Sequence, residues 1–307
     1  MKKSLKTSIV LIVLFFATDL VVFNCLKRID EKVLTGQGVG KVNHFLSLKD
    51  SVNLLVFGSS RALHHVNPKV LDDNSYNMGA DGKRLGYSAA LISSLNKNEQ
   101  IILVHIDPKS IYNSEYKGED ILGLLNVTKR NNDIDDFIFE NFPKEIYLSK
   151  IFKCYVYNGK VLSLIKNFLT PKYNYEGYIG YDPIIPSRGQ KQIFKNLIDK
   201  TDFSAFKYDG ISKLPNPLID KFINEIKEKC DKNNSKLVFF TSPSLIKNEK
   251  NLLLKTKEYF KYNEIQYFDF SSFIDISDIN NWKDFTHLSG KGADLFSKEL
   301  SSRLKQN

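Results

Sequence analysis

The fold of this 307-residue chain is constrained most strongly by short apolar runs that alternate with amphipathic stretches. Residues 54–57 and 101–106 are continuous apolar segments of the kind that forms buried parallel strands. Residues 237–240 form a similar run, the stretch 266–270 is a further strand candidate, and apolar residues at helical spacing follow at 293–304. Because strand and helix alternate at both ends of the chain, the sequence predicts an α/β fold with one mainly parallel sheet and right-handed crossovers.

The middle of the chain, residues of about 110–214, does not alternate in this way. It contains a helical stretch, DIDDFIFENF, and then a segment rich in tyrosine, glycine and proline, YNYEGYIGYDPIIPSRG. We interpret it as an insertion between the early and late strands. Its tyrosines either stack on sugars or pack on the sheet as ordinary loop residues; they are Tyr173, Tyr175, Tyr178 and Tyr181.

An apolar run at residues 8–26 is close to the ~20 residues that span a bilayer as a helix. Basic residues flank it on both sides: Lys2, Lys3, Lys6, Lys27 and Arg28. Residues 17–19 fit a signal-peptidase site poorly and residues 22–25 fit a lipoprotein box poorly, which favours an uncleaved anchor over a cleaved signal peptide. We therefore expect a cytoplasmic tip and transmembrane anchor at 1–28 and an extracytoplasmic α/β domain at 29–307.

Asp19 lies inside this apolar run. An ionisable group at membrane depth costs a few kcal/mol and often marks a partner. Asp19 thus either faces another membrane protein or lies among the headgroups near the outer interface. The cysteines, Cys25, Cys154 and Cys230, show no zinc-ligand spacing, so no metal site is predicted. Separate thiols are favoured over a Cys154–Cys230 disulfide.

The formal net charge of +9 suggests a nucleic acid or an anionic surface as a partner. Residues 1–28 carry five basic residues against Asp19, which is +4 and leaves +5 for the rest. This dispersed excess suits an anionic envelope surface. No nucleic-acid recognition motif supports the other interpretation. No Walker loop and no GxGxxG follows a strand, so no cofactor is predicted.

Three short blocks carry the chemistry. Gly58-Ser59-Ser60 follows the first strand, where ligands bind in parallel sheets. Gly79 lies before a helix, where its N–H and that of Ser60 are placed to donate to an oxyanion. Asp284 and His287 form a D-x-x-H pair just before the last helix, and together they supply a base and the carboxylate that orients it. Each block alone is more often an ordinary turn or surface loop, but their order along the chain is informative.

In that order, the blocks resemble those of the SGNH (GDSL-like) hydrolase superfamily. The resemblance covers about residues 57–82 and 280–300 and implies a flavodoxin-like three-layer sandwich preceded by one transmembrane helix. It makes Ser60 the nucleophile, His287 the base and Asp284 the orienting carboxylate, with Ser60 and Gly79 in the oxyanion hole. Asp275 and Asp278 are alternatives for the carboxylate, but they lie farther from His287 in sequence.

One departure concerns the third block, where the family supplies an asparagine to the oxyanion hole. Here the third strand ends in HIDPKSIYN, which places Asp107 near that position. Arg61 and Asn113 are the candidates for a further donor or substrate contact. His64 and His65 follow the serine turn, and one of them either lines the cleft or belongs to an ordinary helix start.

The chain resembles a membrane-anchored branch of this superfamily that acylates envelope polymers. The features that carry the resemblance are the GSSR variant, the single anchor with Asp19, and the IDP after the third strand. The chain is similar to the teichoic-acid D-alanyl-transfer and alginate O-acetylation proteins. The resemblance implies a serine esterase or O-acyltransferase acting on envelope polysaccharide, with a membrane-bound O-acyltransferase as partner. The alternative is a non-catalytic SGNH-like module that binds polysaccharide or acts as a scaffold for that partner, and the missing asparagine favours it.

Overall fold

A computed structural model describes residues 2–201, 210–247 and 249–306; residues 202–209 of the predicted insertion lie outside this description. The α-helices are α1 (Lys2–Asp30), α2 (Lys41–Leu48), α3 (Ser60–His65), α4 (Leu85–Ile92), α5 (Pro108–Ile111), α6 (Asn132–Asn141), α7 (Pro143–Ile151), α8 (Val161–Leu169), α9 (Arg188–Ile198), α10 (Pro217–Lys232), α11 (Lys250–Tyr262) and α12 (Gly290–Gln306). The β-strands are β1 (Leu54–Phe57), β2 (Ser75–Asn77), β3 (Ile101–His105), β4 (Lys236–Thr241) and β5 (Gln266–Asp269).

The strands form one five-stranded sheet in the order β2-β1-β3-β4-β5, and every neighbouring pair is parallel. This confirms the prediction of an α/β fold with a parallel sheet. The strand order reverses between β1 and β3, since β2 lies on one side of β1 and all later strands lie on the other. In such a sheet, the crevice beyond the carboxyl ends of these two strands is the preferred ligand site.

The chain divides into two compact units. Unit 1 comprises Met1–Ser47 and Ile121–Gly177, and unit 2 comprises Leu48–Asp120 and Tyr178–Asn307. The sheet belongs to unit 2, where its strands pack on α12 through fully buried side chains such as Val56, Phe240 and Phe296. Burying a side chain of this size contributes about 1.5–3 kcal/mol, so this contact is a main source of stability for unit 2.

Helix α1 begins unit 1, and its segment Lys3–Asp30 is long and apolar enough to cross a membrane. Its apolar side chains are exposed along most of the helix, which is unusual for a helix that packs in a soluble core. The cysteines Cys25, Cys154 and Cys230 are free thiols.

A buried carboxylate holds the end of α1 in unit 1. Asp30 is 1% exposed and accepts hydrogen bonds from Asn43 Nδ2 and Asn126 Nδ2, both at 3.1 Å. Arg130 Nη2 pairs with it at 3.0 Å, and the Tyr157 hydroxyl donates at 3.3 Å. Because a buried charge is stable only when it is paired and hydrogen-bonded, these contacts fix α1 against three other segments of unit 1.

Candidate active site

The turn after β1 requires glycine. Gly58 has φ +139, and a Cβ at this position would lie 2.8 Å from His105 Cβ. Ser59 then caps α3, and its Oγ accepts a hydrogen bond from the Arg61 N–H at 3.4 Å. Helix α3 begins at Ser60, which therefore lies at the carboxyl end of β1, at the reversal of strand order.

The structure brings together the three residues assigned to a catalytic triad. Ser60 Oγ lies 3.0 Å from His287 Nε2, and His287 Nδ1 lies 3.1 Å from both carboxylate oxygens of Asp284. Since an ionised carboxylate only accepts hydrogen bonds, Nδ1 carries the proton in this arrangement. His287 Nε2 is then free to accept the proton of the Ser60 hydroxyl, as a general base must.

Asp284 is held in its ionised form. Burial disfavours its charge, but the hydrogen bonds from His287 and from the Thr286 N–H outweigh burial and hold the pKa of Asp284 well below its ordinary value. The Thr286 and His287 backbone N–H groups both donate to Asp284 Oδ1 at 2.9 Å, so the D-x-x-H turn orients its own carboxylate. Asp275 and Asp278, the alternative carboxylates, have other hydrogen-bond partners.

A cavity of about 300 Å³ opens beside Ser60. Its lining residues are Ser60, His64, Asp81, Gly82, Ile184, Lys283, Asp284 and His287. His64 thus lines the cleft, whereas the neighbouring His65 is fully buried. His64 Nδ1 lies 2.6 Å from the Asp182 carbonyl oxygen and Nε2 lies 3.2 Å from Asp81 Oδ1.

Gly79 differs from its predicted role. Its N–H, assigned to the oxyanion hole, donates to the buried side-chain oxygen of Asn77 at 2.8 Å. Asn77 Nδ2 donates in turn to the Ala62 and Val66 carbonyls at 2.8 and 2.7 Å. A Cβ on Gly79 would lie 2.4 Å from the Leu63 backbone nitrogen. The glycine is therefore required by the close approach of this turn to α3, and its N–H already has an acceptor.

Arg61 lies behind the serine. Its Nη1 pairs with Asp107 Oδ2 at 2.8 Å and its Nε donates to Ser242 Oγ at 3.2 Å. The guanidinium is buried, and Arg61 is not among the residues that line the cavity beside Ser60. The sequence made Arg61 a candidate for a further oxyanion donor or a substrate contact, and it placed Asp107 near the position of the family's asparagine. The structure pairs the two, which offsets the negative charge near the site.

Ser242 connects Arg61 to two buried histidines. Its Oγ lies 3.0 Å from His65 Nδ1 and 3.2 Å from His105 Nε2. His65 Nε2 accepts a hydrogen bond from the Leu288 N–H at 3.0 Å, so the proton of the neutral ring is on Nδ1. Burial, followed by the charge of Arg61, holds the pKa of His65 and of His105 well below the ordinary value. Ser242 Oγ thus accepts from Arg61 and His65 and donates to His105, which satisfies all of its hydrogen-bonding capacity.

A second cavity, of about 330 Å³, lies on the other side of the serine turn at the ends of β1 and β3. Its polar lining includes Ser59, Lys83, Arg84, Asp107, Lys109, Ser110 and Asn113. Asn113, a predicted substrate contact, therefore lines this cavity and not the one beside Ser60. Burial lowers the pKa of Lys83 and of Lys109 from the ordinary value. Three cations around one cavity make it a site suited to an anionic group.

The contacts of Ser242, His65 and His105 were missed by sequence reasoning. Ser242 directly follows β4, and the rule that sites lie beyond the carboxyl ends of parallel strands is a signal that points to it. Of the predicted tyrosine cluster, Tyr173 accepts a hydrogen bond from the Gly36 N–H in unit 1, and Tyr178 donates to Asp182 in unit 2. Within residues 2–201, 210–247 and 249–306, no group of three His, Cys, Asp or Glu side chains is placed to hold a metal ion.

Comparison with known proteins adds no further assignment: no protein-family model matches the chain, and no curated protein matches it in sequence.

Proposed function

We propose that this chain is a serine esterase or O-acyltransferase that acts on acyl groups of an envelope polysaccharide. The observation that carries the proposal is the line of contacts from Ser60 Oγ to His287 Nε2 at 3.0 Å and from His287 Nδ1 to Asp284 at 3.1 Å. Ser60 and His287 are 227 residues apart in sequence, yet their two turns place Oγ and Nε2 within hydrogen-bond distance. This arrangement favours nucleophilic catalysis over a purely structural role.

In the proposed reaction, Ser60 Oγ attacks the acyl carbonyl and its proton passes to His287 Nε2. Asp284 stabilises the imidazolium that forms. His287 then gives this proton to the leaving oxygen, and the acyl group stays on Ser60 as an ester. A water molecule or a sugar hydroxyl loses its proton to His287 and attacks the ester, which releases the acyl product and restores the serine.

The proposal extends to fold, location and partner. It includes an SGNH-like, flavodoxin-like three-layer sandwich, an anchor through residues 8–26, and a catalytic domain outside the cell membrane. A membrane-bound O-acyltransferase would supply the acyl group from within the bilayer. The three cations around the larger cavity support an anionic polymer as acceptor, since charge-assisted hydrogen bonds hold such chains.

A non-catalytic scaffold is the second candidate. It is favoured by one observation: the Gly79 N–H, the expected second oxyanion donor, is bonded to Asn77. An oxyanion donor is worth roughly 10²–10³ in rate, so its absence would impair acyl transfer strongly.

Labelling of the full-length protein with a fluorophosphonate probe separates the two candidates. The esterase proposal expects one adduct on Ser60, located by peptide mass spectrometry, and loss of the adduct in Ser60→Ala and in His287→Ala. Ser277→Ala, a change at an exposed serine, is the matched control and keeps full labelling. Absence of any Ser60-dependent adduct, together with polysaccharide acylation that survives Ser60→Ala in cells and is lost on deletion of residues 1–28, would select the scaffold.

A further inference from the structure

Helix α8 of unit 1 exposes an apolar face. Leu162 is 85% exposed and Leu169 is 70% exposed, and Ile165 lies between them on the same side of the helix. Leu164, on the opposite side, is fully buried within the protein. Each isolated exposed leucine is ordinary, but a contiguous stripe along one helix marks a surface that contacts something apolar.

A second apolar patch extends from α7 onto the anchor helix. Tyr147 and Ile151 on α7 are exposed, and Phe152 follows them. The Phe152 ring is stacked on Phe16 with a centroid distance of 5.9 Å and contacts Phe15 edge-on at 6.0 Å. This patch is therefore continuous with the exposed apolar side chains of α1, the helix suited to cross a membrane.

A carboxylate and two backbone N–H groups at the level of this patch satisfy one another. Asp19 of α1 accepts hydrogen bonds from the Lys153 N–H at 2.6 Å and the Cys154 N–H at 3.0 Å. The Cys154 thiol contacts the Asp19 carbonyl oxygen at 3.2 Å. Such mutual satisfaction is what a low-dielectric lipid environment demands of backbone N–H groups and of a carboxylate. It also gives Asp19 a partner within its own chain.

A cavity of about 150 Å³ lies beside the last turns of α1. Apolar side chains such as Phe23 form much of its wall, and four cations complete it: Lys27, Lys129, Arg130 and Lys153. Arg130 is paired with the buried Asp30, and Lys27 forms an exposed pair at 3.8 Å, which is worth little. Partial burial and the neighbouring Lys153 lower the pKa of Lys129, as expected where cations are crowded. The cavity therefore carries excess positive charge that an outside anion would neutralise.

The spacing along α1 orders these features by depth. Phe16, which contacts the patch, precedes Lys27, which lines the basic cavity, by eleven residues, or roughly 16 Å of helix. This is about half of the ~30 Å hydrocarbon core of a bilayer. When Lys27 is at the headgroup level, the patch therefore lies within the hydrocarbon of one leaflet.

We propose that unit 1 is a phospholipid-binding module, in which the apolar faces of α7 and α8 enter the leaflet beside α1 and the basic cavity holds the phosphate of an anionic phospholipid. The proposal rests on membrane insertion of α1. The apolar wall and cationic rim match the glycerol and acyl chains and the phosphate of one molecule. Each lysine or arginine close to the surface strengthens the attraction between a basic segment and an anionic headgroup.

Tryptophan fluorescence in vesicles tests the insertion of α8. Full-length Leu162→Trp and Leu169→Trp are reconstituted in vesicles of phosphatidylcholine and phosphatidylglycerol, and the wild type, with its single buried Trp282, gives the background. Lipids brominated on their acyl chains are expected to quench both added tryptophans, and aqueous iodide is expected not to. Quenching by iodide but not by bromolipid would overturn the proposal. Protection from both quenchers would also overturn it, in favour of a second protein copy on this face.

Vesicle flotation in alkaline carbonate distinguishes a failure of the anchor from a failure of this proposal. Protein that floats but shows no bromolipid quenching has an inserted α1 and a water-exposed α8. If the protein does not float, α1 is not inserted in the membrane, and both the anchor and the lipid-binding module are refuted. The quenching result is therefore interpreted only beside the flotation result.

The phosphate site has its own test by native mass spectrometry of delipidated protein in detergent. Phosphatidylglycerol is expected to bind more tightly than phosphatidylcholine, and the double variant Lys129→Gln and Lys153→Gln is expected to weaken its binding about tenfold, or 1.4 kcal/mol. Lys221→Gln and Lys232→Gln, on α10, form the matched control and leave binding unchanged. Equal binding of the two lipids would overturn the site, as would displacement of phosphatidylglycerol by glycerol 3-phosphate at the same concentration.

Discussion

His65 Nε2 accepts a hydrogen bond from the Leu288 N–H at 3.0 Å, which joins the helix that begins at Ser60 to the loop that carries His287. The bond connects two segments separated by 223 residues in sequence. His65 therefore fixes His287 relative to Ser60, the proposed base and nucleophile, although it lies behind the cleft.

His65→Phe is expected to leave the buried Leu288 N–H without a partner and to remove one of the three hydrogen bonds of Ser242 Oγ. A buried donor left unsatisfied costs about 1–3 kcal/mol, so the free energy of unfolding in urea is expected to fall by at least this amount. His65→Gln keeps an amide that donates and accepts, and is expected to recover part of both stability and fluorophosphonate labelling rate. Equal losses in the two variants would contradict a positioning role for the ring.

Stability is expected to fall as the pH drops below 6.5. Burial keeps His65 and His105 neutral in the folded state, with pKa values well below the ordinary 6.5, whereas the unfolded chain protonates both. Their contribution is fully present above pH 6.5 and is lost below it. Between pH 6.5 and 5.5 the two histidines together lower the free energy of unfolding by roughly 2 kcal/mol. Burial also lowers the pKa of His44, which therefore contributes in the same direction.

Urea unfolding at several pH values measures this effect. His65→Gln removes one of the two fully buried titrating groups, so the pH-dependent loss in that variant is expected to be about half. A free energy of unfolding that stays constant between pH 6.5 and 5.5 would show that these rings take up protons as readily in the folded state as in the unfolded chain.

Asp284→Asn is expected to lower the rate of fluorophosphonate labelling by roughly 10³–10⁴, as loss of the orienting carboxylate does in other triads. The Thr286 and His287 N–H groups hold the amide oxygen at the Oδ1 position, so the NH₂ group takes the Oδ2 position facing Nδ1. The ring proton then moves to Nε2, where it blocks removal of the Ser60 proton. Asp278→Asn is the matched control, because Asp278 pairs with Lys291 outside this cavity. A similar loss of labelling rate in Asp278→Asn would indicate that Asp278 is the carboxylate that orients His287.

Gly58→Ala is expected to destabilise unit 2 by about 2 kcal/mol or more, since it adds backbone strain and a close contact with His105. Gly82→Ala is a matched control, because Gly82 also has positive φ but has open space around its missing Cβ. It should cost only about 1 kcal/mol. Thermal unfolding of the two variants in parallel gives the comparison, and equal midpoints would show that the contact with His105 is relieved by local movement.

Asp19→Leu is expected to release the backbone at residues 153–154 and to speed maleimide modification of the Cys154 thiol in detergent. Asp19→Asn retains one acceptor oxygen, so its effect should lie between those of the leucine variant and the wild type. Peptide mass spectrometry separates Cys154 from the exposed Cys25. An unchanged rate for Cys154 in Asp19→Leu would mean that this contact does not limit access to the thiol.

The sheet of unit 2 was largely predictable, because short continuous apolar runs in a chain of this kind indicate buried parallel strands. The first strand has its predicted bounds, Leu54–Phe57, and the three later strands differ from theirs by one residue at one or both ends. Residues 121–177, by contrast, were assigned to an insertion in the α/β domain, and they pack with the first 47 residues as unit 1. No periodicity within either segment signals that long-range pairing.

The triad contacts were predictable because each block follows or precedes an element whose position is set by the sheet. The hydrogen bonds of Gly79 and Arg61 were not, because backbone spacing gives no information about which acceptor an N–H group reaches. Asn77 supplies that acceptor for Gly79, and Ser242 and Asp107 supply it for Arg61.

The contact between Asp19 and Lys153 also sets an order of events during biosynthesis. The carboxylate is synthesised 134 residues before the N–H group that binds it, which at 5–20 residues per second is a delay of roughly 7–27 s. During that interval the nascent helix carries an acidic group without its later hydrogen-bond donors. Under the proposed membrane topology, the anchor therefore reaches its final state only after the later segment has been exported, so export of unit 1 and maturation of its anchor are one event.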